Sequence, residues 1–283
     1  MKVAVTGAGG LLGRAVNTHC AAQGDEVHAF DHSALDITDA AAVKSRLGGL
    51  KPEVVFNCAA WTDVDGCESD PDRAERANAL GPQLLASTCR DIDALLITIS
   101  TDYVFDGTKE GFYTQRDHPN PISMYGRFKF EGERRAQNAY ARTIVIRSGY
   151  IFGSGGTNFL STVLDNAHRG EHLKAISDMT GTPTYATDLA ARLRELAKLD
   201  LPGIYHVVNA GDGVSFETFA RTALEIGGVD PARLKSTTLA ELNRPAARPR
   251  NSRLKCLLSE AIGLAPLPDW RAALRHFISL QSA

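Results

Sequence analysis

Short apolar runs alternate with stretches of helical periodicity through the first half of the chain. Five runs are typical of buried strands: KVAVT, EVHAFD, VVFNCA, ALLITIS and TIVIRS. Between them, apolar positions recur at the three- and four-residue spacing of a helix, and one such helix begins at Asp70-Pro71, an N-cap followed by proline. Because apolar strands that alternate with helices form parallel sheets covered on both faces, the pattern predicts a Rossmann-type, doubly wound α/β domain.

The second half of the chain has a different composition, which begins at Gly153 with the glycine-rich segment GSGGT. Helices and further strand-like runs follow, and an apolar stripe after Asp269 closes the chain. We therefore expect one domain over residues 1–150 and a smaller C-terminal α/β domain over residues 151–283, part of which returns to the first sheet.

Composition and charge narrow the class of partner. The chain of 283 residues carries 31 basic and 33 acidic side chains, so it presents no strong positive field for nucleic acid or an anionic membrane. Its five cysteines form no CxxC pair, its histidines show no metal-ligand spacing, and neither a signal peptide nor a membrane-spanning run is present. We expect a cytoplasmic protein without a bound metal, whose partners are small molecules or other proteins.

The first strand leads into three glycines at the spacing GxxGxxG, in the stretch KVAVTGAGGLLG. Gly7, Gly10 and Gly13 allow a tight turn and the close approach of a pyrophosphate to the start of a helix. Asp31, at the end of the next strand, is placed to accept hydrogen bonds from a ribose. The motif predicts that residues 1–150 bind NADH or NADPH. An acidic Asp31 disfavours a 2′-phosphate and the adjacent His32 offsets this, so the preference between them stays open.

Tyr125 and Lys129 stand four residues apart in SMYGRFKFEGE, on the same face of a predicted helix. A third polar group, Thr101, follows the strand ALLITIS, where parallel sheets bind ligands. An ammonium beside a phenol lowers the phenol's pKa, so we expect Lys129 to activate Tyr125. In a carbonyl reduction Thr101 would bind the ketone oxygen and Tyr125 would give it a proton.

Several motifs together are similar to those of one enzyme family. They are GAGGLLG, LDITD, NCAAWTDVDGCE, STDYVFDG, YGRFK, GTPTYATDLA and RPRNSRL. This set resembles the extended short-chain dehydrogenase/reductases and, within them, the dTDP-4-dehydrorhamnose reductases. The resemblance implies hydride transfer from NADPH or NADH to the C4 ketone of dTDP-4-dehydro-L-rhamnose, which yields dTDP-L-rhamnose. It also implies that the C-terminal domain binds the nucleotide sugar.

The resemblance also assigns residues to roles. The catalytic residues are Thr101, Tyr125 and Lys129. The residues that it and the glycine motif place around the cofactor are Gly7, Gly10, Leu11, Leu12, Gly13, Asp31, Asp36, Ile37, Ala60, Trp61, Thr62, Tyr125 and Lys129. The residues placed at the substrate are Thr101, Asp102, Tyr150, Arg248 and Arg250, where either arginine is suited to neutralise the diphosphate.

The chain departs from the family pattern at three positions. Phe128 replaces the usual Ser or Thr before the catalytic lysine, and Tyr150 replaces a usual Trp, so the exact deoxysugar stays open. Ala15 stands where some members carry an acidic residue that holds Mg²⁺ between two subunits. We therefore predict no bridging metal, while a homodimer formed by other contacts stays open.

Two other functions are compatible with the same motifs. A nucleotide-sugar epimerase or dehydratase would recycle a tightly held NAD⁺, although a dehydratase typically has Asp-Glu after the threonine and this chain has Asp102-Tyr103. A non-catalytic subunit, like the regulatory subunit of methionine adenosyltransferase, shares the fold without turnover. The presence of both Tyr125 and Lys129 favours the reductase.

Overall fold

The protein, described here from a computed structural model, is an α/β structure whose described residues are 1–156, 158–171 and 173–281. In chain order, the strands are β1 (Lys2–Thr6), β2 (Glu26–Phe30), β3 (Val54–Asn57), β4 (Leu95–Thr101), β5 (Thr143–Ser148), β6 (Ile151–Phe152), β7 (Leu173–Ile176), β8 (Thr180–Gly181), β9 (Thr184–Tyr185), β10 (Gly203–His206), β11 (Asn209–Ala210), β12 (Val214–Ser215), β13 (Leu234–Thr237) and β14 (Leu267–Asp269). The α-helices are α1 (Leu11–Ala22), α2 (Ala40–Leu50), α3 (Val64–Ser69), α4 (Pro71–Glu75), α5 (Gly81–Ile92), α6 (Met124–Ala139), α7 (Phe159–His168), α8 (Ala186–Leu199), α9 (Phe216–Ile226), α10 (Leu239–Leu242), α11 (Leu257–Ala261) and α12 (Trp270–Gln281).

Six strands form the central sheet, in the order β10-β5-β4-β3-β1-β2. Every pair in this sheet is parallel. The strand order reverses direction between β1 and β3, and their carboxyl ends form a crevice there, which is where open α/β sheets bind ligands. The predicted doubly wound parallel sheet is confirmed.

Helices cover both faces of the sheet because its central strands are buried on both sides. Strands β1, β3 and β5 show almost uninterrupted burial, as a two-sided core requires. Helices α1 and α8 pack on one face, with Val16 and Leu193 in that core. On the other face α2, α5 and α6 bury residues such as Leu47, Leu85 and Ala136.

The C-terminal part of the chain has a second apolar core. Strands β7 and β13 pair in parallel, and α7, α9 and α12 pack around them through residues such as Phe219, Trp270 and Phe277. Strand β10, although late in the chain, lies beside β5 in the central sheet. The boundary between a domain of residues 1–150 and one of residues 151–283 stays a prediction.

Two local features differ from the predicted elements. The run EVHAFD ends as a strand at Phe30, one residue early, because the Asp31 carboxylate turns the chain by accepting hydrogen bonds from Ser33 and Ala34. The helix that begins at Asp70-Pro71 is interrupted by a π-helical segment over Arg76–Leu80 before α5 begins. Such segments are frequent at functional sites, and this one lies against the cofactor cleft described below.

Candidate active site

The chain turns sharply between β1 and α1, and two glycines of this turn have no room for a side chain. Gly7 has a φ of +65°, and a Cβ there would lie 2.6 Å from the backbone nitrogen of Ala59. A Cβ on Gly13 would lie 2.2 Å from the carbonyl oxygen of Gly7, so α1 packs directly against the turn. Gly10 is the N-cap of α1, where free N–H groups and the helix dipole attract an anion.

Leu11 and Leu12 contribute their backbone, and not their side chains, to this turn. The Leu12 side chain lies in the core between the sheet and α8, while Leu11 packs beside Gly156 of the glycine-rich segment. Both residues stand in the first turn of α1, where backbone N–H groups have no partner within the helix. Their backbone N–H groups are therefore what they can offer to a phosphate.

A cleft of about 800 Å³ opens beside the turn, a size that suits small-molecule and cofactor sites. We call it the cofactor cleft. The predicted cofactor residues that line it are Gly7, Gly10, Asp31, Asp36, Ile37, Ala60 and Trp61. The predicted residues that lie outside its lining are Leu11, Leu12, Gly13, Thr62, Tyr125 and Lys129.

Two predicted carboxylates line this cleft, and each is held by its neighbours in the sequence. Asp31 accepts hydrogen bonds from the hydroxyl of Ser33 at 2.7 Å and from the N–H of Ala34 at 2.9 Å. Asp36 accepts from the N–H and the hydroxyl of Thr38, both at 2.9 Å. These hydrogen bonds lower the pKa of both carboxyls, so both are ionised at neutral pH.

Two arginines that the sequence analysis missed also line the cofactor cleft. The Arg73 guanidinium stacks on the ring of Trp61, 4.3 Å from its centroid. The charge of Arg76 contributes to the lowered pKa of Asp36. Their spacing of three residues on a predicted helix puts both side chains on one face, and that spacing was the available signal.

Asn78 was also missed, and it fixes the loop that contains Trp61. Its side-chain oxygen accepts from the N–H of Trp61 at 3.0 Å, and its amide nitrogen donates to the carbonyl oxygen of the same residue at 2.9 Å. Asn78 is buried in the π-helical segment. A buried asparagine in an apolar helical stretch must find such partners, which is the signal that the sequence contained.

Helix α6 begins beside the end of β4 because two residues of its first turn are suited to that place. The hydroxyl of Ser123, the N-cap, accepts a hydrogen bond from the N–H of Gly126 at 3.2 Å. A Cβ on Gly126 would lie 2.2 Å from the carbonyl oxygen of Tyr103, so only glycine allows the helix this close to the turn after β4. This explains the glycine between Tyr125 and Lys129.

The structure brings Thr101, Tyr125 and Lys129 together at the carboxyl end of β4. The Thr101 hydroxyl interacts with the phenol of Tyr125 and thereby lowers its pKa. Lys129 donates a hydrogen bond from Nζ to the carbonyl oxygen of Ile99 at 2.7 Å. The group adjoins the cofactor cleft. Cys58 lines the cleft, and the charge of Lys129 is close enough to lower the pKa of the Cys58 thiol. We call Thr101, Tyr125, Lys129 and the adjacent Asp102 the reactive pocket.

The expected lowering of the Tyr125 pKa is not observed. Burial raises the pKa of this phenol above its ordinary value, and the hydroxyl of Thr101 offsets only part of the effect. The Lys129 ammonium donates to the Ile99 carbonyl oxygen, and its activation of the phenol during a reaction stays a prediction. Burial also lowers the pKa of Lys129, to about 8, although the charge of Glu133 opposes that change. The phenol of Tyr125 therefore carries its proton at neutral pH.

A buried ion pair, absent from the sequence analysis, lies directly behind the reactive pocket. Arg147 donates to Glu133 from Nε at 2.9 Å and from Nη2 at 2.7 Å, and both side chains are at most 3% exposed. Ser100 donates to the same carboxylate, and Glu133 lies one helical turn after Lys129. The carboxylate thus stands between two buried cations and raises the pKa of Lys129.

Asp102 is buried, and its carboxyl is occupied by two hydroxyls. Thr101 donates to one of its oxygens at 3.1 Å, and Ser252 donates to the other. Ser252 belongs to the motif RPRNSRL, which was predicted to reach the substrate through its arginines. The sequence contains no signal that a serine 150 positions away would be the partner of Asp102.

The two departures from the family pattern have structural settings. Tyr150 has a positive φ of 45°, stacks on the ring of Phe216 at 3.9 Å between centroids, and needs the space that Gly181 leaves. Asp102 is close enough to raise the pKa of the Tyr150 phenol together with burial. Phe128 is buried in an apolar cluster against which Trp61 and Tyr125 pack.

The two predicted phosphate-binding arginines, Arg248 and Arg250, have different surroundings. Arg248 forms a two-pronged ion pair with Asp65, in which both hydrogen bonds measure 2.9 Å. This pair lowers the pKa of Asp65 and ties the segment after α10 to α3. Arg250 is exposed, and its carbonyl oxygen accepts from the N–H of Thr180. The two side chains are therefore not equivalent, and their contact with a diphosphate stays a prediction.

Within residues 1–156, 158–171 and 173–281, no three His, Cys, Asp or Glu side chains lie together as potential metal ligands. Over the same ranges, no helix has both the length and the apolar character that crossing a bilayer requires.

A family model and several relatives match nearly the whole chain. The model described as the RmlD substrate binding domain matches residues 1–282. A dTDP-4-dehydrorhamnose reductase of Streptomyces griseus is 41% identical over 277 residues, which cover 95% of this chain and 90% of the relative. A probable dTDP-4,6-dihydroxy-2-methyloxan-3-one 4-ketoreductase of Streptomyces antibioticus is 38% identical over 279 residues, 98% of this chain and 94% of the relative.

Solved structures agree with these matches. A dTDP-4-dehydrorhamnose reductase from Clostridium acetobutylicum has a TM-score of 0.96 with 34% identity over the full length of both chains. A dTDP-4-dehydrorhamnose reductase from Bacillus anthracis, solved in complex with NADP, has a TM-score of 0.94 with 30% identity over 99% of this chain and 100% of that one. The chain therefore belongs to the RmlD substrate-binding-domain family, which confirms the resemblance at the level of family.

Proposed function

We propose that this member of the RmlD family is an NADPH- or NADH-dependent reductase of a nucleotide sugar. It would reduce the C4 ketone of dTDP-4-dehydro-L-rhamnose and so produce dTDP-L-rhamnose. One observation carries the proposal: Thr101, Tyr125 and Lys129 meet at the carboxyl end of β4, immediately beside the cofactor cleft. The names of the relatives and the NADP complex of a 30% identical structure support it.

The cofactor cleft has the features that a dinucleotide requires. Glycines at positions 7 and 13 allow the backbone to turn tightly at the start of α1, whose N-terminal N–H groups suit a pyrophosphate. Asp31 and Asp36 are ionised acceptors at the edge of the cleft, suited to ribose hydroxyls and adenine. When bound there, the reduced nicotinamide supplies the hydride that the ketone carbon accepts.

The reactive pocket supplies the proton and binds the ketone oxygen. Thr101 donates a hydrogen bond to that oxygen, and Tyr125 gives it a proton as negative charge develops there. Lys129, held by the Ile99 carbonyl oxygen and four positions after Tyr125 on the same helix, would stabilise the phenolate as it forms. Tyr125 carries its proton at neutral pH, so it can act as the acid that a reduction requires. The first step of an epimerase is an oxidation, which would require a base at this position.

The remaining assignments belong to the same proposal. Residues 1–150 would bind the cofactor and residues 151–283 mainly the sugar nucleotide, with Tyr150 beneath the sugar and Arg248 or Arg250 at the diphosphate. The hydrogen bond from Ser252 to Asp102, which joins the C-terminal region to the reactive pocket, supports this use of the second region. The protein would work in the cytoplasm without a bridging metal and could form a homodimer, which light scattering of the purified protein tests directly.

A related deoxysugar is the second candidate substrate. The Streptomyces antibioticus relative is named as a 4-ketoreductase of a different dTDP-sugar, although it is similar to this chain over almost its full length. Because Tyr150 and Phe128 depart from the usual pattern, a 4-keto sugar with different substituents would react by the same steps. Identification of the product by nuclear magnetic resonance separates the two candidates.

The first test measures loss of absorbance by NADPH or NADH when dTDP-4-dehydro-L-rhamnose, made in situ, is added. We expect rapid substrate-dependent oxidation, and a fall in kcat of about 10²- to 10⁴-fold for Tyr125→Phe with little change in cofactor affinity. Tyr140→Phe, at the C-terminal end of α6 and far from the pocket, is the matched control. Full turnover by Tyr125→Phe would show that the roles proposed here are wrong.

A second measurement separates the reductase from the other two functions. An epimerase would be purified with bound NAD⁺, which is seen in the absorbance of the protein after denaturation. A non-catalytic subunit would bind NADPH or NADH, measured by fluorescence, and oxidise neither with any dTDP-4-keto sugar.

A further inference from the structure

The carboxyl of Asp102 lies behind the hydroxyl of Thr101, away from solvent. Asp102 is 3% exposed, and Oδ1 is joined to Thr101 Oγ1 at 3.1 Å while Oδ2 is joined to Ser252 Oγ. A Cβ on Gly149 would lie 2.6 Å from Oδ2, so this glycine leaves the carboxyl its space. Thr101 is the hydrogen-bond partner that links this carboxyl to the place of the reaction.

Ser252 is held firmly in place by the segment around it. Its N–H donates to the carbonyl oxygen of Thr180 at 2.8 Å, and Ser252 itself is fully buried. On either side, Asn251 donates to the carbonyl oxygen of Gly111 at 2.7 Å, and the N–H of Leu254 donates to the hydroxyl of Thr182. These hydrogen bonds hold Ser252 opposite Asp102.

The hydrogen bonds around Thr101 limit what its hydroxyl can do. A hydroxyl has one proton to donate and two lone pairs to accept with. One lone pair of Thr101 Oγ1 accepts from the N–H of Tyr103 at 3.2 Å. If Asp102 is ionised it can only accept, so the Thr101 proton points to Asp102 and none is left for a ketone.

A protonated Asp102 reverses this arrangement. The carboxylic acid donates from Oδ1 to the second lone pair of Thr101, while Oδ2 still accepts from Ser252. The Thr101 proton is then free to point into the reactive pocket, where the phenol oxygen of Tyr125 or a ketone oxygen can accept it. Only this state lets Thr101 donate a hydrogen bond to a ketone oxygen, the role that it has in the reduction.

We propose that Asp102 is a positioning residue that, while protonated, turns the Thr101 hydroxyl toward the ketone oxygen, and that Ser252 holds it there. This inference rests on the proposed reductase function and deepens it. Asp102 would not touch the reacting atoms. It would act through Thr101, and the ionised form would leave the same pocket without its hydrogen-bond donor.

The groups around Asp102 set the pH range over which the carboxyl would change its protonation and so turn the Thr101 hydroxyl. Burial raises the pKa of the carboxyl to about 6, against the hydrogen bonds from Ser252 and Thr101, which lower it. The titratable groups that face it are the phenols of Tyr103, Tyr125 and Tyr150, whose raised pKa values keep them neutral in this range. The nearby guanidinium of Arg248 acts on Tyr103 and is itself paired with Asp65.

The direction of the pH effect follows from these groups. Because the protonated form is the competent one, kcat/KM should fall as pH rises through about 6, and by about tenfold per pH unit well above it. Bound substrate and cofactor exclude more water and bring negative phosphates, which raises the pKa of a carboxyl further. The corresponding fall in kcat should therefore occur at a higher pH than the fall in kcat/KM.

The test is the pH profile of the purified enzyme and two variants. In Asp102→Asn the amide cannot titrate, so the fall near pH 6 should disappear whatever the remaining rate. In Ser252→Ala the fall should move to higher pH, because the lost hydrogen bond is one that lowers the pKa of Asp102. Asp106→Asn is the matched control, because a carboxyl whose pKa is about 2 does not titrate in this range. The pH profile of Asp106→Asn should therefore still show the fall in kcat/KM near pH 6.

An infrared measurement gives a readout that does not depend on turnover. A protonated carboxylic acid has its own carbonyl stretching band, which should be lost from the wild-type protein as pH rises through about 6 and be missing in Asp102→Asn. Persistence of the kinetic fall in Asp102→Asn, or a band that titrates while kcat/KM does not follow, would overturn the inference. Turnover missing at every pH with the band present would instead refute the proposed function.

Discussion

The cofactor cleft and the reactive pocket lie at neighbouring strand ends, yet they are assembled in different ways. In the cleft, Asp31 and Asp36 are held by residues only two or three positions away. In the reactive pocket, Lys129 is held by a carbonyl 30 positions away and Asp102 by a hydroxyl 150 positions away. These two carboxylates of the cleft are thus placed by local sequence, whereas the pocket exists only when distant segments meet.

Solvent exposure makes the two regions differ electrostatically as well. Asp31 is exposed, and local hydrogen bonds lower the pKa of its carboxyl. Asp102 is buried, and desolvation raises the pKa of the same chemical group to about 6. Lys129, also buried, has its pKa lowered to about 8 for the same reason. Ionisation in the pocket is therefore set by tertiary packing, and in the cleft by the turn itself.

The largest effect that tests this contrast is expected from Glu133→Gln, behind the reactive pocket. It leaves Arg147 buried without a counter-charge, which should lower the free energy of unfolding in urea by about 3–5 kcal/mol. It also removes the charge that raises the pKa of Lys129, so the loss of kcat at high pH should begin below about 8. Glu131→Gln, in a half-buried pair with Arg135, should cost less than about 1 kcal/mol.

The sign of the pH effect on stability follows from Lys129. Its pKa in the folded protein, about 8, lies below the ordinary value of 10.5, so between these values the unfolded chain binds more protons. Stability from this group should therefore rise with pH across that window, and in Glu133→Gln the rise should begin at lower pH. An unchanged urea midpoint and pH profile in Glu133→Gln would contradict the prediction.

Asn78→Leu tests a part of the cofactor cleft that depends on a distant contact. Losing both hydrogen bonds to Trp61 should cost about 1–3 kcal/mol of stability and weaken cofactor binding about tenfold, while kcat at saturating cofactor changes little. Fluorescence titration with NADPH and NADH measures the affinity. Asn138→Leu, at an exposed position of α6, is the control. Equal affinities in the two variants would show that the Trp61 loop holds without Asn78.

The smallest effect is expected from Asp31→Asn, at the exposed edge of the cleft. Removing its charge relieves repulsion of a 2′-phosphate, so the ratio of kcat/KM for NADPH to that for NADH should rise by about two- to fivefold. The rise should shrink in high salt because the site is exposed. A fall in the ratio would mean that Asp31 does not face the ribose. Asp91→Asn, exposed at the end of α5, should leave the ratio unchanged.

The residues that the sequence analysis identified, and those that it missed, follow the same division. The turn from Gly7 to Gly13, the acidic residue after β2 and the pair Tyr125 and Lys129 are all readable from spacing, because one helix or one turn places them. For Asn78 the sequence contained a partial signal, which is a polar side chain within an apolar helical stretch. Glu133 as a partner of Arg147, and Ser252 as a partner of Asp102, had none, because nothing in a local pattern specifies which segments meet.

The expectation of a lowered pKa for Tyr125 was wrong because it, too, relied on a local pattern. Lys129 was expected to lower the pKa of Tyr125 because the two stand four positions apart on a helix. Spacing places two side chains on one face, but it does not say how deeply they are buried or which carbonyl receives the ammonium. In the structure, burial dominates the pKa of the Tyr125 phenol, and the carbonyl oxygen of Ile99 accepts a hydrogen bond from Lys129.

The sequence by itself determined the parallel α/β sheet, the glycine turn, and the presence of Thr101, Tyr125 and Lys129 at the ends of their elements. Periodicity, glycine geometry and helix spacing are local physics, so a local pattern suffices for them. Only the tertiary structure decided the protonation of the reactive pocket and the partner of Asp102. Desolvation and hydrogen bonding depend on which distant segments exclude water from a side chain, and that information exists only once the chain has folded.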